Sequence, residues 1–102
     1  MGAGRKGGLM SLIQQNKVCY VCGTTQGLHK HHIFYGTGNR KLSEADGCYC
    51  YLCYLHHNGS NKGVHFNRAL DLELKRRCEL AWLHVNKLTV EDFIKRYGKN
   101  YI

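Results

Sequence analysis

Hydrophobic positions are clearest in the second half of the chain, where Leu70, Leu74, Cys78, Ala81 and Val85 recur at helical spacing behind Asn67, a predicted N-cap. Two four-residue pairs, Asp71 with Lys75 and Glu73 with Arg77, are expected on its outer face. Thr89-x-x-Asp92 then opens a last predicted helix with a Val90, Phe93, Ile94, Tyr97 stripe, and Gly98 stops it. In the first half the period changes. Cys48-Tyr49-Cys50-Tyr51-Leu52 alternates and is rich in aromatics, which predicts a strand, and Leu28 to Phe34 reads as a second short strand. Between them Gly36, Gly38 and Gly47 predict a loop over 36–47. Leu9, Met10, Leu12 and Ile13 suggest a short helix or docking turn, and the Gly-rich, basic residues 1–8 a flexible arm. The expectation is a small α+β protein with one domain over 9–102, a core at about 18–66, helices at about 67–98, and no internal repeat.

A chain of 102 residues buries a modest core, so a metal staple would help it fold. Its six cysteines would suggest disulfides in a secreted protein, but the opening Met-Gly-Ala-Gly-Arg-Lys-Gly-Gly has no apolar signal core. Reduced, metal-binding thiols are the expectation. No apolar run approaches the roughly 20 residues of a membrane span, so a soluble protein without a membrane partner is expected. Lys and Arg number 15 against 7 acids, a formal net charge of +8 that attracts polyanions. Seven histidines and seven tyrosines tilt that expectation toward DNA or another nucleic acid. No small-molecule cofactor is expected, and the pattern fixes no oligomeric state.

Metal-ligand spacing adds the chemistry. Cys19-x-x-Cys22 followed by Gly23 has the form of a zinc knuckle, and Cys53-x-x-His56 spans a turn of equal length. These four make one candidate structural Zn2+ site. Cys50-x-x-Cys53 offers a rival second pair and an all-cysteine site, but Cys50 falls inside the alternating strand, and Cys53 with His56 suits tetrahedral closure better. Cys48 and Cys78 read as buried thiols. Once four ligands close such a site, His31, His32 and His57 remain unexplained.

His31-His32-Ile33-Phe34 and Leu52-Cys53-x-x-His56-His57 resemble the opening and closing motifs of the HNH endonucleases. The likeness runs from Cys19 to about His65, and the C-terminal part is similar to small bacteriophage-encoded members. It implies a ββα-metal core, a β-hairpin and a helix with a divalent ion between them, inside a zinc-knuckle frame. It also implies that His32 is the general base and that His31 and His57 hold a catalytic divalent cation. Mg2+ or Mn2+ is expected first, then Zn2+ or Ni2+. His65, after a Gly-rich turn, adds a candidate ligand, although eight residues from His57 is not one-turn helical spacing. The implied activity is metal-dependent phosphodiester hydrolysis of DNA leaving 5′-phosphate and 3′-hydroxyl ends, in the cytoplasm of a bacterial host. The middle Asn of the family has no obvious equivalent near Asp46-Gly47-Cys48, and Asn39, Ser43 or a backbone carbonyl is expected in its place. Arg40, Lys41 and Lys62 are expected on DNA phosphates, with Arg5-Lys6 tracking a strand. His29 and His84 read as packed or solvated. The alternatives are a zinc-stabilised nucleic-acid-binding module without catalysis and a phage DNA packaging or recombination factor.

Overall fold

A computed structural model describes residues 10–59 and 63–102. The basic arm with Arg5 and Lys6, and the expected phosphate contact Lys62, lie outside the described residues. The protein is a small α+β domain in the order β1 (Leu28–His32), α1 (Asn39–Asp46), β2 (Tyr49–Cys53), α2 (Tyr54–His57), α3 (Arg68–Asn86) and α4 (Val90–Tyr97). No helix among the described residues is long and apolar enough to cross a membrane.

β1 and β2 form a two-stranded antiparallel sheet in which His31 pairs with Cys50 and His29 with Leu52. Because strand side chains alternate, His29, His31, Cys50 and Leu52 share one face, while Lys30, His32, Tyr49 and Tyr51 share the other. β1 is shorter than the expected strand over 28–34. Ile33 and Phe34 continue past it into the core, fully buried, where the Phe34 N–H donates to the Ser43 hydroxyl at 2.9 Å.

The expected loop over 36–47 contains α1 instead. Its glycines are boundaries rather than interior residues: Gly38 precedes the helix and Gly47 ends it at φ 78°, a left-handed conformation that favours glycine. The eight residues between them carry a helical pattern too short to stand out from its glycine-rich surroundings. Residues 10–16 form bends rather than a helix. Leu12 and Ile13 dock against the core, the Leu12 N–H donates to the Gly47 carbonyl at 2.8 Å, and the Ser11 hydroxyl donates to the Tyr49 carbonyl.

The two long-range helices form as their caps predict. Asn67 accepts the Leu70 N–H at the start of α3, and Thr89 and Asp92 make a reciprocal capping box at the start of α4. Acidic Glu91 and Asp92 in the first turn of α4 and basic Lys95 and Arg96 in its last turn match the helix dipole. The buried stripe of α3 departs from the expected one: Leu74, Cys78 and Trp82 are inside, whereas Val85 is exposed. Lys75 and Glu79 are buried on that face as well. The Asp71–Lys75 pair forms at 3.0 Å but faces inward, while Glu73–Arg77 at 3.1 Å lies outside as expected. In α4 Phe93 and Tyr97 are buried and Ile94 is exposed.

Asp46, the last residue of α1, ties the helices together. Its carboxylate accepts from Trp82 Nε1 at 3.1 Å, Arg96 Nε at 2.6 Å, Arg96 Nη2 at 2.8 Å and the Tyr97 hydroxyl at 2.6 Å. Around it Phe34, Trp82, Phe93 and Tyr97 pack with ring centroids 4.5 to 6.4 Å apart. Phe34 joins this cluster two residues past the end of β1.

Candidate metal centres

Two groups of side chains converge in ways that could hold metal ions. The first is Cys19, Cys22, Cys53 and His56. Cys19 and Cys22 lie on a turn closed by the Gly23 N–H on the Cys19 carbonyl at 2.8 Å, and Gly23 has φ 79°. The Tyr20 N–H donates to the Tyr51 carbonyl at 2.8 Å, which fastens this turn to β2. Cys53 ends β2 and His56 follows on α2. A tetrahedral ion with bonds of about 2.3 Å to sulfur and 2.0 Å to nitrogen sets S–S edges near ~3.8 Å and S–N edges near ~3.5 Å. The observed Cys22 Sγ–Cys53 Sγ separation is 3.9 Å, and His56 Nδ1 lies 3.7 Å from Cys19 Sγ and 3.3 Å from Cys53 Sγ. This Cys3His set could bind a metal such as zinc.

Electrostatics separates this set from the rival. Burial opposes ionisation of the Cys19 thiol, but N–H groups of Cys22, Cys53 and Val21 outweigh it and bring the thiol down to about 6. Burial pushes Cys50 the other way, up to about 12. Cys50 is fully buried in β2 and lies outside the converging group, which fits a core thiol. Cys48 and Cys78 are buried, as expected.

The second group is His31, His57 and His65, with one ring nitrogen from each within 4.8 Å of the others. His31 is buried, and its Nε2 has no hydrogen-bond partner among the described residues. Burial first, then the neighbouring His57 and His65 rings, holds His31 down to about 3 and lowers His57 as well. His31 therefore stays neutral near pH 7, with a lone pair available. His65 reaches the group despite its distance along the chain because residues 63–65 fold back on α2: the Val64 N–H donates to the His56 carbonyl at 2.8 Å and the His65 N–H to the His57 carbonyl at 3.3 Å. Gly63 permits that return, since a Cβ there would lie 2.9 Å from the Asn58 backbone.

His29 is not merely packed or solvated, as the sequence suggested. Its Nδ1 lies 3.0 Å from His57 Nδ1, while His57 Nε2 lies 3.2 Å from His65 Nε2. If Nε2 of His57 is the ligand atom, its proton sits on Nδ1 and donates to His29 Nδ1, which fixes the ring and tautomer of His57. The signal was in the sequence, because residues two apart on a strand share a face and His31 was already a candidate. His84 is exposed on α3, as expected.

His32 turns away from this group, as alternation requires, and its Nε2 lies 2.7 Å from Glu44 Oε1 on α1. Lys30 reaches the same carboxylate at 3.2 Å. The His32 hydrogen bond, then Lys30, keeps the Glu44 carboxyl below its usual range. Of the three expected substitutes for the missing Asn, Ser43 braces the chain at Phe34, and Asn39 instead donates to the Tyr97 carbonyl at 3.1 Å. The imidazole of His32 is held by Glu44, which the sequence did not single out because it falls in the expected loop. The contact with Glu44 occupies Nε2 of His32.

His31, His32, His57 and His65 line one cleft of about 300 Å³ together with Lys30, Tyr35 and Arg40. Arg40 lines this cleft and is exposed, whereas Lys41 is exposed outside it. Comparison with protein-family models, curated proteins and solved structures finds no match to this chain.

Proposed function

We propose that the protein is a metal-dependent DNA endonuclease with an HNH-like ββα-metal core, in which His32 is the general base and the Cys3His set holds a structural zinc. The observation that carries this reading is the buried, partnerless Nε2 of His31 beside His57 and His65, in the same cleft as His32. A buried polar atom without a partner is costly, and a cation would satisfy it. A binding module would need the net charge and the knuckle but gives no reason for a second set of three histidines.

His31, His57 and His65 would hold a divalent cation, and three imidazoles suit Zn2+ or Ni2+ better than the Mn2+ or Mg2+ expected from the resemblance; the ion would supply Lewis-acid stabilisation of charge developing on the scissile phosphate and its leaving oxygen. His32 takes a proton from water through Nδ1 while Glu44 accepts its Nε2–H, which keeps the imidazole in one tautomer and compensates the charge it acquires. Arg40 and Lys30 at the cleft wall hold phosphate oxygens. The products are 5′-phosphate and 3′-hydroxyl ends.

A plasmid-nicking assay across these cations tests the reading. His32→Ala should lower the rate about 10²- to 10⁴-fold, the usual contribution of a general base, and leave DNA and metal affinity nearly unchanged. A His32→Ala protein that nicks at the normal rate, with contaminating nuclease excluded, would overturn the mechanism. No cleavage by the unaltered protein with any of these ions would leave the binding module as the better account.

A further inference from the structure

A second recess of about 250 Å³ adjoins the histidine cleft, and Tyr35 and His65 line both. Phe66, in its wall, is 65% exposed and has no aromatic partner among the described residues. Among the large hydrophobic side chains of the described residues Phe66 is the most exposed, and it lies beside a polar cleft. Arg68 lines the same recess, is exposed, and makes no ion pair among the described residues. The one acid there, Asp71, is already engaged: it accepts from the Tyr35 hydroxyl at 3.2 Å and pairs with Lys75 at 3.0 Å. The free charge of the recess is therefore positive, and its free surface is an aromatic face.

From this we infer that the recess is a nucleotide subsite. Phe66 stacks one base next to the phosphate held in the histidine cleft, and Arg68 binds the adjoining phosphate. The assignment rests on the nuclease reading for what happens in the cleft, but it adds a substrate class. A base can lie on Phe66 only when it is out of the duplex stack, so the preferred strand carries an unpaired base there, as in single-stranded, branched or frayed DNA. Uninterrupted duplex would leave the platform empty.

Fluorescence anisotropy with the full chain and a short single-stranded oligonucleotide, without added divalent ion, tests this directly. Phe66→Ala should weaken binding roughly 5- to 150-fold, the range for loss of one base–aromatic stack, and Phe66→Trp should preserve it. An abasic site placed at each position in turn should reveal one position whose loss weakens the unaltered protein but not Phe66→Ala. Arg68→Ala should lower the slope of log affinity against log salt by about one unit. Circular dichroism melts of each variant identify any folding defect, which this exposed position is not expected to cause. The subsite is wrong if folded Phe66→Ala binds single strands within twofold of the unaltered protein, or if both proteins bind an uninterrupted duplex of equal length at least as tightly. The same oligonucleotides, incubated with Mg2+, Mn2+, Zn2+ or Ni2+ in turn, report on cleavage separately. Loss of binding in Phe66→Ala without any cleavage would support the subsite and overturn the nuclease reading, whereas cleavage with no Phe66 effect would overturn the subsite alone.

Discussion

Replacing His29 with Phe keeps a flat ring on the strand but removes the nitrogen that faces His57. In the unaltered protein the two Nδ1 atoms are 3.0 Å apart, and His57 is half-buried. Losing a neutral hydrogen bond costs about 0.5–1.5 kcal/mol net, and a donor left without a partner about 1–3 kcal/mol when fully buried. Because His57 retains access to water, the lower part of that range applies. About 1.4 kcal/mol corresponds to a tenfold weaker cation, at the low end of the 10- to 100-fold typical for groups that orient a ligand. Calorimetric titration of Mn2+ or Ni2+ into zinc-loaded protein measures this without reference to activity. His29→Phe should raise Kd about tenfold with the melting temperature nearly unchanged, and His29→Gln should recover part of the loss through its amide oxygen. His84→Phe, on the exposed surface of α3, is the matched control. A Kd for His29→Phe within twofold of the unaltered protein would refute the orienting role of His29.

Three further outcomes follow from the geometry. Cys19→Ser or Cys53→Ser should abolish zinc retention and cooperative unfolding, because metal binding and folding are one event in such a site, while Cys50→Ala should keep the zinc and lose only about 1 kcal/mol; zinc analysis with thermal melts checks both. Since His31 is held at about 3 against 6.5 in an unfolded chain, stability is fully present above about pH 6.5. It is lost as pH falls toward 3, because the unfolded chain takes up a proton the folded one refuses. His31→Leu should remove that contribution, on the order of a few kcal/mol, in denaturant melts compared between pH 7 and pH 5. Asp46→Ala should cost about 3 kcal/mol, roughly 12–20 °C in Tm, by leaving Trp82 Nε1 and Tyr97 without their acceptor; a loss under 1 kcal/mol would show that water replaces it.

The elements legible in the sequence were those with a local, repeated signal. Asn67 and Thr89 mark helix starts because a side-chain cap is a short-range event, and the Cys-x-x-Cys and Cys-x-x-His turns are set by spacing alone. What escaped notice depends on partners far along the chain. α1 was hidden because its flanking glycines, which end the helix, look the same as glycines inside a loop. Lys75 is expected outside, and its burial is decided by groups elsewhere: it lies over the Tyr35 ring at 4.3 Å. Glu44 escapes for the same reason, since it acts through His32, which only the fold brings near; His29 differs, because its shared face with His31 is readable from strand alternation.

The two candidate metal sets meet at consecutive residues, and this bears on how the second one is built. α2 is four residues long, far short of what holds a helix together by its own hydrogen bonds. His56 belongs to the Cys3His set and His57 to the histidine set, so an ion bound to the first would fix the backbone that presents the second. From there the order propagates. The His56 and His57 carbonyls accept the Val64 and His65 N–H groups, which brings His65 toward His57, and His29 on β1 secures the far side of the His57 ring. His31 alone is placed independently, by its pairing opposite Cys50 in the sheet. On the proposed reading the structural ion therefore does more than compensate for a small core. It pre-orders two of the three histidines on a segment too short to order itself.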